Sequence, residues 1–248
     1  MEKESAMNKR QTKSPPLYLK IREYLLKAIQ NMQAGNNRLE TEEALSKKLG
    51  TSRATVREAM ASLIREGYIT RWQGKGNFGH PAVTKLPMRI DINSDFLKLI
   101  ADSGEKPQLL KRNLRNQRAS QRMLRRMPEV DEMEVTAFDW IYLDSRGPVI
   151  ICNVELPHAY LRTPPSLDGN EQKLSAFLER HCRVHITYTT TWLSSTVEEA
   201  VADRFGIDQN RSMVVWEEIF YDLSDHRICF NTIYFHPDRI DLSMLLTI

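Results

Sequence analysis

The sequence predicts an α+β protein in two parts. A small helical unit ends in a hairpin, and a larger unit follows in which a mixed, mainly antiparallel sheet carries packed helices. Three observations predict this. Apolar residues recur at three- and four-residue steps through the first third and then give way to β-prone runs. Charge divides at the same place: residues 1–80 hold 15 Lys and Arg against 8 Asp and Glu, while the remainder holds 20 against 24. The length, 248 residues, suits one large domain or two of ordinary size. A basic first third beside a mildly acidic remainder points to a polyanionic partner for one end only.

Residues 1–16 are polar and charged, close on Pro15-Pro16, and are expected to form a disordered lead-in. A first helix is predicted over residues 17–32, because Tyr18, Ile21, Leu25, Ile29 and Met32 fall on one face. Gly35-Asn36-Asn37 ends it. Thr41 caps a second helix, with Glu42 and Glu43 at its positive end, and Gly50 stops it after Leu49. Only Gly50-Thr51-Ser52 separates it from a third helix, capped by Ser52 and ended at Gly67. That is the helix-turn-helix spacing.

In the third helix Arg53 and Arg57 lie one turn apart on one face, with Val56, Ala59, Met60, Leu63 and Ile64 opposite. One side docks on a core while the other presents two guanidinium forks, as entry into the DNA major groove requires. Residues 68–72 and 77–78 flank Gln73-Gly74-Lys75-Gly76 and read as a hairpin, a wing whose tip brings backbone and Lys75 to a phosphate. The first unit is thus bounded at 17–80. Residues 81–89 read as a linker, and 90–248 as the second unit.

In that second unit a strand is predicted after Pro107, then a helix over residues 120–127. Further strands fit 133–144, 148–156, 183–193, 212–222 and 227–235, with short helices at 172–182 and 196–205. No apolar run is long enough to cross a bilayer, and the first residues lack the apolar core of a secretory signal, so a cytoplasmic protein is expected. Three Cys at wide spacing, with no CxxC pair, argue against a disulfide framework or a Cys-rich zinc site. Gly74-Lys75-Gly76 lacks the spacing of a nucleotide-binding loop. His181 and His185 have metal-ligand spacing only if their helix continues, and no Glu accompanies them; neither metal nor cofactor is expected.

A second basic run, from Lys111 through Arg112, Arg115, Arg118, Arg122 and Arg125 to Arg126, reads as a solvated face paired with the acidic remainder rather than a second polyanion surface. Among the strand aromatics, pocket and core are equally open for Trp140 and Tyr142. Tyr188, Trp192 and Trp216 read as core.

These residues carry a resemblance. Tyr18, Arg38-Leu39, Leu45, Ser52 to Ala59, Leu63, Glu66-Gly67-Tyr68 and Gln73 to Gly76 resemble the winged helix-turn-helix of GntR-family bacterial transcription regulators. Gly147-Pro148-Val149, Leu156-Pro157, Phe220-Tyr221-Asp222 and the run Tyr234 to Arg239 resemble UTRA, the effector-binding domain of the HutC branch, which shares its fold with chorismate lyase. The resemblance implies a homodimer on a palindromic double-stranded operator, a probe of small-molecule effectors in residues 90–248, and repression as the mode of control. It assigns DNA contact to Arg38, Ser52, Arg53, Thr55, Arg57, Gly74 and Lys75.

Two departures stand in the first unit: Glu43 replaces an arginine that often meets DNA, and Ala54 replaces a hydroxyl residue. In the second, Trp140 and Tyr142 stand where phosphosugar-sensing members tend to carry an Arg-x-Arg pair, and Cys152 and Cys229 stand where carboxylates are common. Losing that phosphate clamp favours a flatter, less anionic ligand. The implied effector set is Trp140, Tyr142, Cys152, Cys229 and Tyr234. Two rival readings remain at this stage: a sensor that has lost its ligand, and a lyase-like enzyme, for which Glu155, His158 and Arg211 are the candidate groups.

Overall fold

The computed structural model describes residues 16–92, 95–129 and 134–246; of the lead-in expected at 1–16, residues 1–15 lie outside them. The chain divides into two compact units, 17–86 with a few C-terminal residues, and Pro87–Ser243.

In the first unit, α1 (Leu17–Gln30) buries Ile21, Leu25 and Ile29 at helical spacing. It stops two residues short of expectation, with Asn31 closing it. α2 (Glu42–Leu49) begins at Thr41, whose hydroxyl accepts from Ala44 N at 3.2 Å. α3 (Arg53–Arg65) buries Val56, Ala59, Met60 and Leu63. These side chains close with Leu39, Leu45 and Ile69 on one core. β1 (Ile69–Trp72) and β2 (Gly76–Gly79) form the hairpin. The segment before α2 joins it, since Leu39 N donates to Asn77 O and Gly79 N to Asn37 O.

Gly50 closes α2 with φ 61°, and nothing lies within 4 Å of where its Cβ would stand. A substitution there meets no clash, only the left-handed backbone penalty. Gly50→Ala is expected to destabilise the first unit by about 1–2 kcal/mol, read as a lowered melting temperature. An unchanged one would contradict the cap.

The second unit opens with α4 (Phe96–Asp102), which the sequence reading did not anticipate. At seven residues it is too short to show a period, although Asp95 caps it by accepting from Lys98 N at 3.2 Å. β3 (Gln108–Arg118), α5 (Gln121–Arg126), β4 (Glu134–Asp144), β5 (Gly147–Pro157), α6 (Leu174–Cys182), β6 (Ile186–Thr196), α7 (Glu199–Phe205), β7 (Met213–Asp222) and β8 (Arg227–Phe235) follow. The six strands lie in the order β3-β4-β5-β8-β7-β6. Every pairing is antiparallel, so no strand direction is mixed. The stretch expected as a linker carries a 3-10 turn at Val83–Lys85, and its last residues join this unit: Met88 O accepts from Ser243 N.

The central strands are buried on both faces, and β4 is buried almost throughout, with Thr136 and Asp139 among its apolar residues. Phe138, Trp140 and Tyr142 of β4 face α4 and α6, together with Cys152, Trp216, Phe220 and Phe235. Ile141, Ile151 and Val215 face α7 through Val201, Ala202 and Phe205. On that same side α5 seals a further cluster through Met123.

Candidate nucleic-acid interface and effector cavity

The turn between α2 and α3 is held from both sides. Ser46 donates its hydroxyl to Thr51 O at 2.5 Å, and Ser52 Oγ accepts from Thr55 N at 3.1 Å. Ser52 and Thr55 hydroxyls lie 2.8 Å apart. The start of α3 is therefore fixed in direction, and its buried row leaves Arg53, Ala54, Arg57 and Glu58 exposed. Arg53 makes no ion pair among the described residues.

Arg57 is partly engaged. Its Nε donates to Glu42 Oε2 at 3.1 Å, and Arg71 of β1 donates to the other Glu42 oxygen at 2.7 Å. The Glu42 side chain is 16% exposed, against 61% for Arg57. The carboxylate thus engages Arg57 through Nε, and no hydrogen bond among the described residues takes its two terminal nitrogens, the fork that suits a guanine edge. Sequence reasoning saw in Glu42 only a favourable charge at a helix start. Its bridging of α2, α3 and the hairpin depends on a tertiary approach that no local pattern displays.

At the hairpin tip Lys75 Nζ sits 3.9 Å from the centre of the Trp72 ring, and that ring is 57% exposed. Gly74 and Gly76 both have positive φ, 77° and 113°. Arg38 pairs with Phe78 as an isolated bridge, and its Nε stands 3.2 Å from where a Gly76 Cβ would be. A side chain at position 76 would displace that guanidinium. Arg38, Gly74 and Lys75 are accordingly all at the hairpin, and Ser52, Arg53, Thr55 and Arg57 at the start of α3. Glu43, the departure from the family pattern, pairs with Lys47 at 3.0 Å on the surface of α2.

In the second unit a cavity of about 340 Å³ lies on the sheet face beneath α4 and the approach to α6. That volume is at the small end of the range for metabolite sites. Trp140, Tyr142 and Cys152 line it, as do Phe96, Phe220, Tyr188, Asn231 and Glu218. Tyr188, expected in the core, is 45% exposed and stacks on Tyr221 at 4.6 Å. Trp192 and Trp216 stay in core clusters.

Cys229 and Tyr234, both expected at the effector site, lie outside the cavity. Side chains alternate along β8, so Tyr234 points to the opposite face, where its hydroxyl donates to Glu198 at 2.9 Å. Cys229 shares the face of Asn231 but is fully buried, its thiol against Glu155 O at 3.4 Å. Burial pushes the thiols of Cys152 and Cys229 well above the ordinary range, which leaves them inert as nucleophiles.

The buried carboxyl group in this cavity is Glu218 of β7. It is 6% exposed and meets Asn231 Nδ2 at 3.5 Å, on the neighbouring strand. Burial raises it to about 7, with hydrogen bonds from Thr189 and Asn231 acting the other way. The sign of the consequence follows from proton binding. Between the usual carboxylate value and about 7 the folded chain holds this proton and the unfolded chain does not. Stability therefore falls as pH rises through that window and is flat above it, by this group alone. Glu218→Gln is expected to remove that fall, on the order of 2–4 kcal/mol. Denaturant midpoints for both proteins from pH 5 to pH 8 would check it, and parallel curves would contradict it.

Part of the basic run of β3 and α5 pairs with the acidic remainder, while Arg112 and Arg118 stay exposed. Arg126 Nε meets Glu217 at 2.6 Å, Arg122 meets Glu217 at 3.1 Å and also Glu198, and Lys111 donates to Gly169 O at 2.5 Å. α6 ends at Cys182, so His181 and His185 do not share a helix face. His181 packs on Phe177 at 4.5 Å, and His185 pairs with Glu179 at 3.0 Å.

With fold and geometry in place, comparison with known proteins defines the class. Residues 17–78 match the family described as "Bacterial regulatory proteins, gntR family", and residues 103–241 match the UTRA domain. The chain belongs to the gntR family of bacterial regulatory proteins and carries a UTRA domain. It is 33% identical over 96 residues to "Uncharacterized HTH-type transcriptional regulator YurK" of Bacillus subtilis (strain 168), covering 38% of each chain. It is 38% identical over 63 residues to the "Probable fructoselysine utilization operon transcriptional repressor" of Escherichia coli (strain K12), covering 25% of this chain and 26% of that protein. These curated relatives are thus matched over well under half of their own length. In fold it is similar to the "possible transcriptional regulator YydK" from Bacillus subtilis, with TM-score 0.71 at 13% identity over 93% of this chain and 99% of that one. These relatives are named as regulators and none as an enzyme, so the lyase-like alternative is set aside.

Proposed function

We propose that this protein is a cytoplasmic transcriptional repressor that binds a palindromic operator as a homodimer and answers to a small molecule held in its UTRA domain. The observation that carries the reading is the start of α3, where Arg53 and Arg57 are exposed over a closed core, together with the Lys75 tip of the hairpin in the same unit. Ser52, Gly74 and Arg38 flank them and suit phosphate contact, while the two arginines suit base edges. A two-fold dimer would set two such helices about one DNA turn apart. Edge strands β3 and β6 carry exposed apolar side chains, Leu110 and Leu114 on one and Leu193 on the other, which suits association of two copies.

The named repressor among the relatives supports the sign of control, since it matches within a stretch of DNA-binding length. The cavity with its buried carboxyl argues for a working sensor rather than a degenerate one. An effector acts only through unequal affinity for the operator-competent and operator-incompetent states.

DNA selected from a random library on the full chain should converge on an inverted repeat. Failure to enrich any sequence would contradict the reading. A further outcome concerns Glu42. Glu42→Gln removes one negative charge beside Arg57 and Arg71, so it should raise non-operator affinity and narrow the gap between operator and random DNA. Gel-shift titrations on both DNAs would check this, and an unchanged ratio would count against the bridge.

A further inference from the structure

Across the floor of the cavity, two buried polar atoms without a protein partner among the described residues accompany the buried carboxyl group of Glu218. Glu218 accepts hydrogen bonds from Thr189 and, at a long 3.5 Å, from Asn231 Nδ2. Asn231 Oδ1 is buried with no donor, and Trp140 Nε1 is buried with no acceptor, among the described residues. Asn231 is 2% exposed and Trp140 1%. Buried polar groups left in this state are costly, and each calls for an outside partner.

The two acceptors, Glu218 and Asn231, face each other directly across the β7–β8 pair. The donor stands two strands away on β4, beyond Cys152. Aromatic rings of Phe96, Tyr142 and Phe220 wall the space between. The charged residues lining the cavity are Glu218, Asp95 and Lys173. Lys173 lies 3.7 Å from Asp95 and is 67% exposed, so it sits at the mouth. Among the described residues no arginine lines the cavity.

We propose that this cavity takes a small organic amine in its protonated form, with the ammonium between Glu218 and Asn231, an oxygen of the ligand accepting from the Trp140 indole N–H, and no phosphate group. The inference rests on the reading of this cavity as the effector site. An ammonium offers the donors that two facing acceptors need, and aromatic walls favour a cation over a neutral group. A phosphate would meet a carboxylate on the floor and find no guanidinium fork to hold it. Binding a cation would also favour the ionised form of Glu218, so uptake of the ligand should release a proton near neutral pH.

The test uses the full chain and matched probes: 2-phenylethylamine against 2-phenylethanol, and glucosamine against glucose and glucosamine 6-phosphate. Calorimetric titration and thermal shift are read with wild type and Glu218→Gln. At least one amine is expected to bind about tenfold or more tightly than its neutral partner, and to lose about tenfold in Glu218→Gln. Glucosamine 6-phosphate should bind no better than glucosamine. Because the wild-type comparison needs no variant, poor folding of Glu218→Gln would leave the result readable. Tighter binding of the phosphorylated sugar, equal binding of amine and neutral partners, or no binding by any probe would overturn the proposal. Operator binding by unliganded protein, measured in parallel, is independent of these outcomes and reports on the regulator reading alone.

Discussion

Arg53→Ala is expected to lose about 1–3 kcal/mol of discrimination between operator and random DNA while keeping most non-specific affinity. Arg53 is exposed at the first turn of α3, and no ion pair among the described residues competes for its fork. Arg57→Ala should lose discrimination as well. Removing it also frees one Glu42 oxygen beside Arg71, so part of its effect will be electrostatic. Lys75→Ala belongs to a different class. Its ammonium stands over Trp72 at the hairpin tip; acting on backbone phosphate rather than bases, as proposed, its loss should weaken operator and random DNA alike. Its loss should also make the salt slope shallower by about one unit. Gel-shift titrations at several salt concentrations separate the two behaviours. Equal loss on all sequences for Arg53→Ala would contradict its role as a reader of bases.

Leu63→Ala is expected to be the most damaging single change to the first unit, at about 2–5 kcal/mol. Leu63 is fully buried between α1 and the start of the hairpin, and its carbonyl accepts from Tyr68 N at 2.9 Å. So small a unit buries few side chains, and a loss of that size is a large share of its stability. Melting followed by calorimetry should show an early transition for the first unit, with the transition of the second unit retained. Operator binding should fail at the temperature of the first transition. One unshifted transition would mean that α3 is not held by this core.

How much of this was legible differs between the two units for physical reasons. The helices of the first unit announce themselves because each one buries a single face and carries its own cap: Thr41, Ser52 and Gly50 all act where local chemistry says they should. The strands of the second unit are equally plain in outline, because apolar runs and turns bound them. What escapes is register. Glu217 and Glu218 are adjacent, and a slip of one residue exchanges their faces. One joins Arg122 and Arg126 on the α5 side, and the other enters the cavity. The same alternation misplaced Tyr234, whose hydroxyl points to Glu198, away from Trp140. Glu42 escaped for another reason: its partners lie 15 and 29 residues further along the chain, brought together only when α3 and the hairpin close on α2.

The account depends most on the claim that the outward face of α3 reads bases. A double-mutant cycle between Arg53→Ala and single base-pair changes in the selected operator tests it directly. The expected result is one base pair whose change costs wild type about 1–3 kcal/mol and costs Arg53→Ala almost nothing. Full additivity at every base pair, for Arg53 and Arg57 alike, would contradict it.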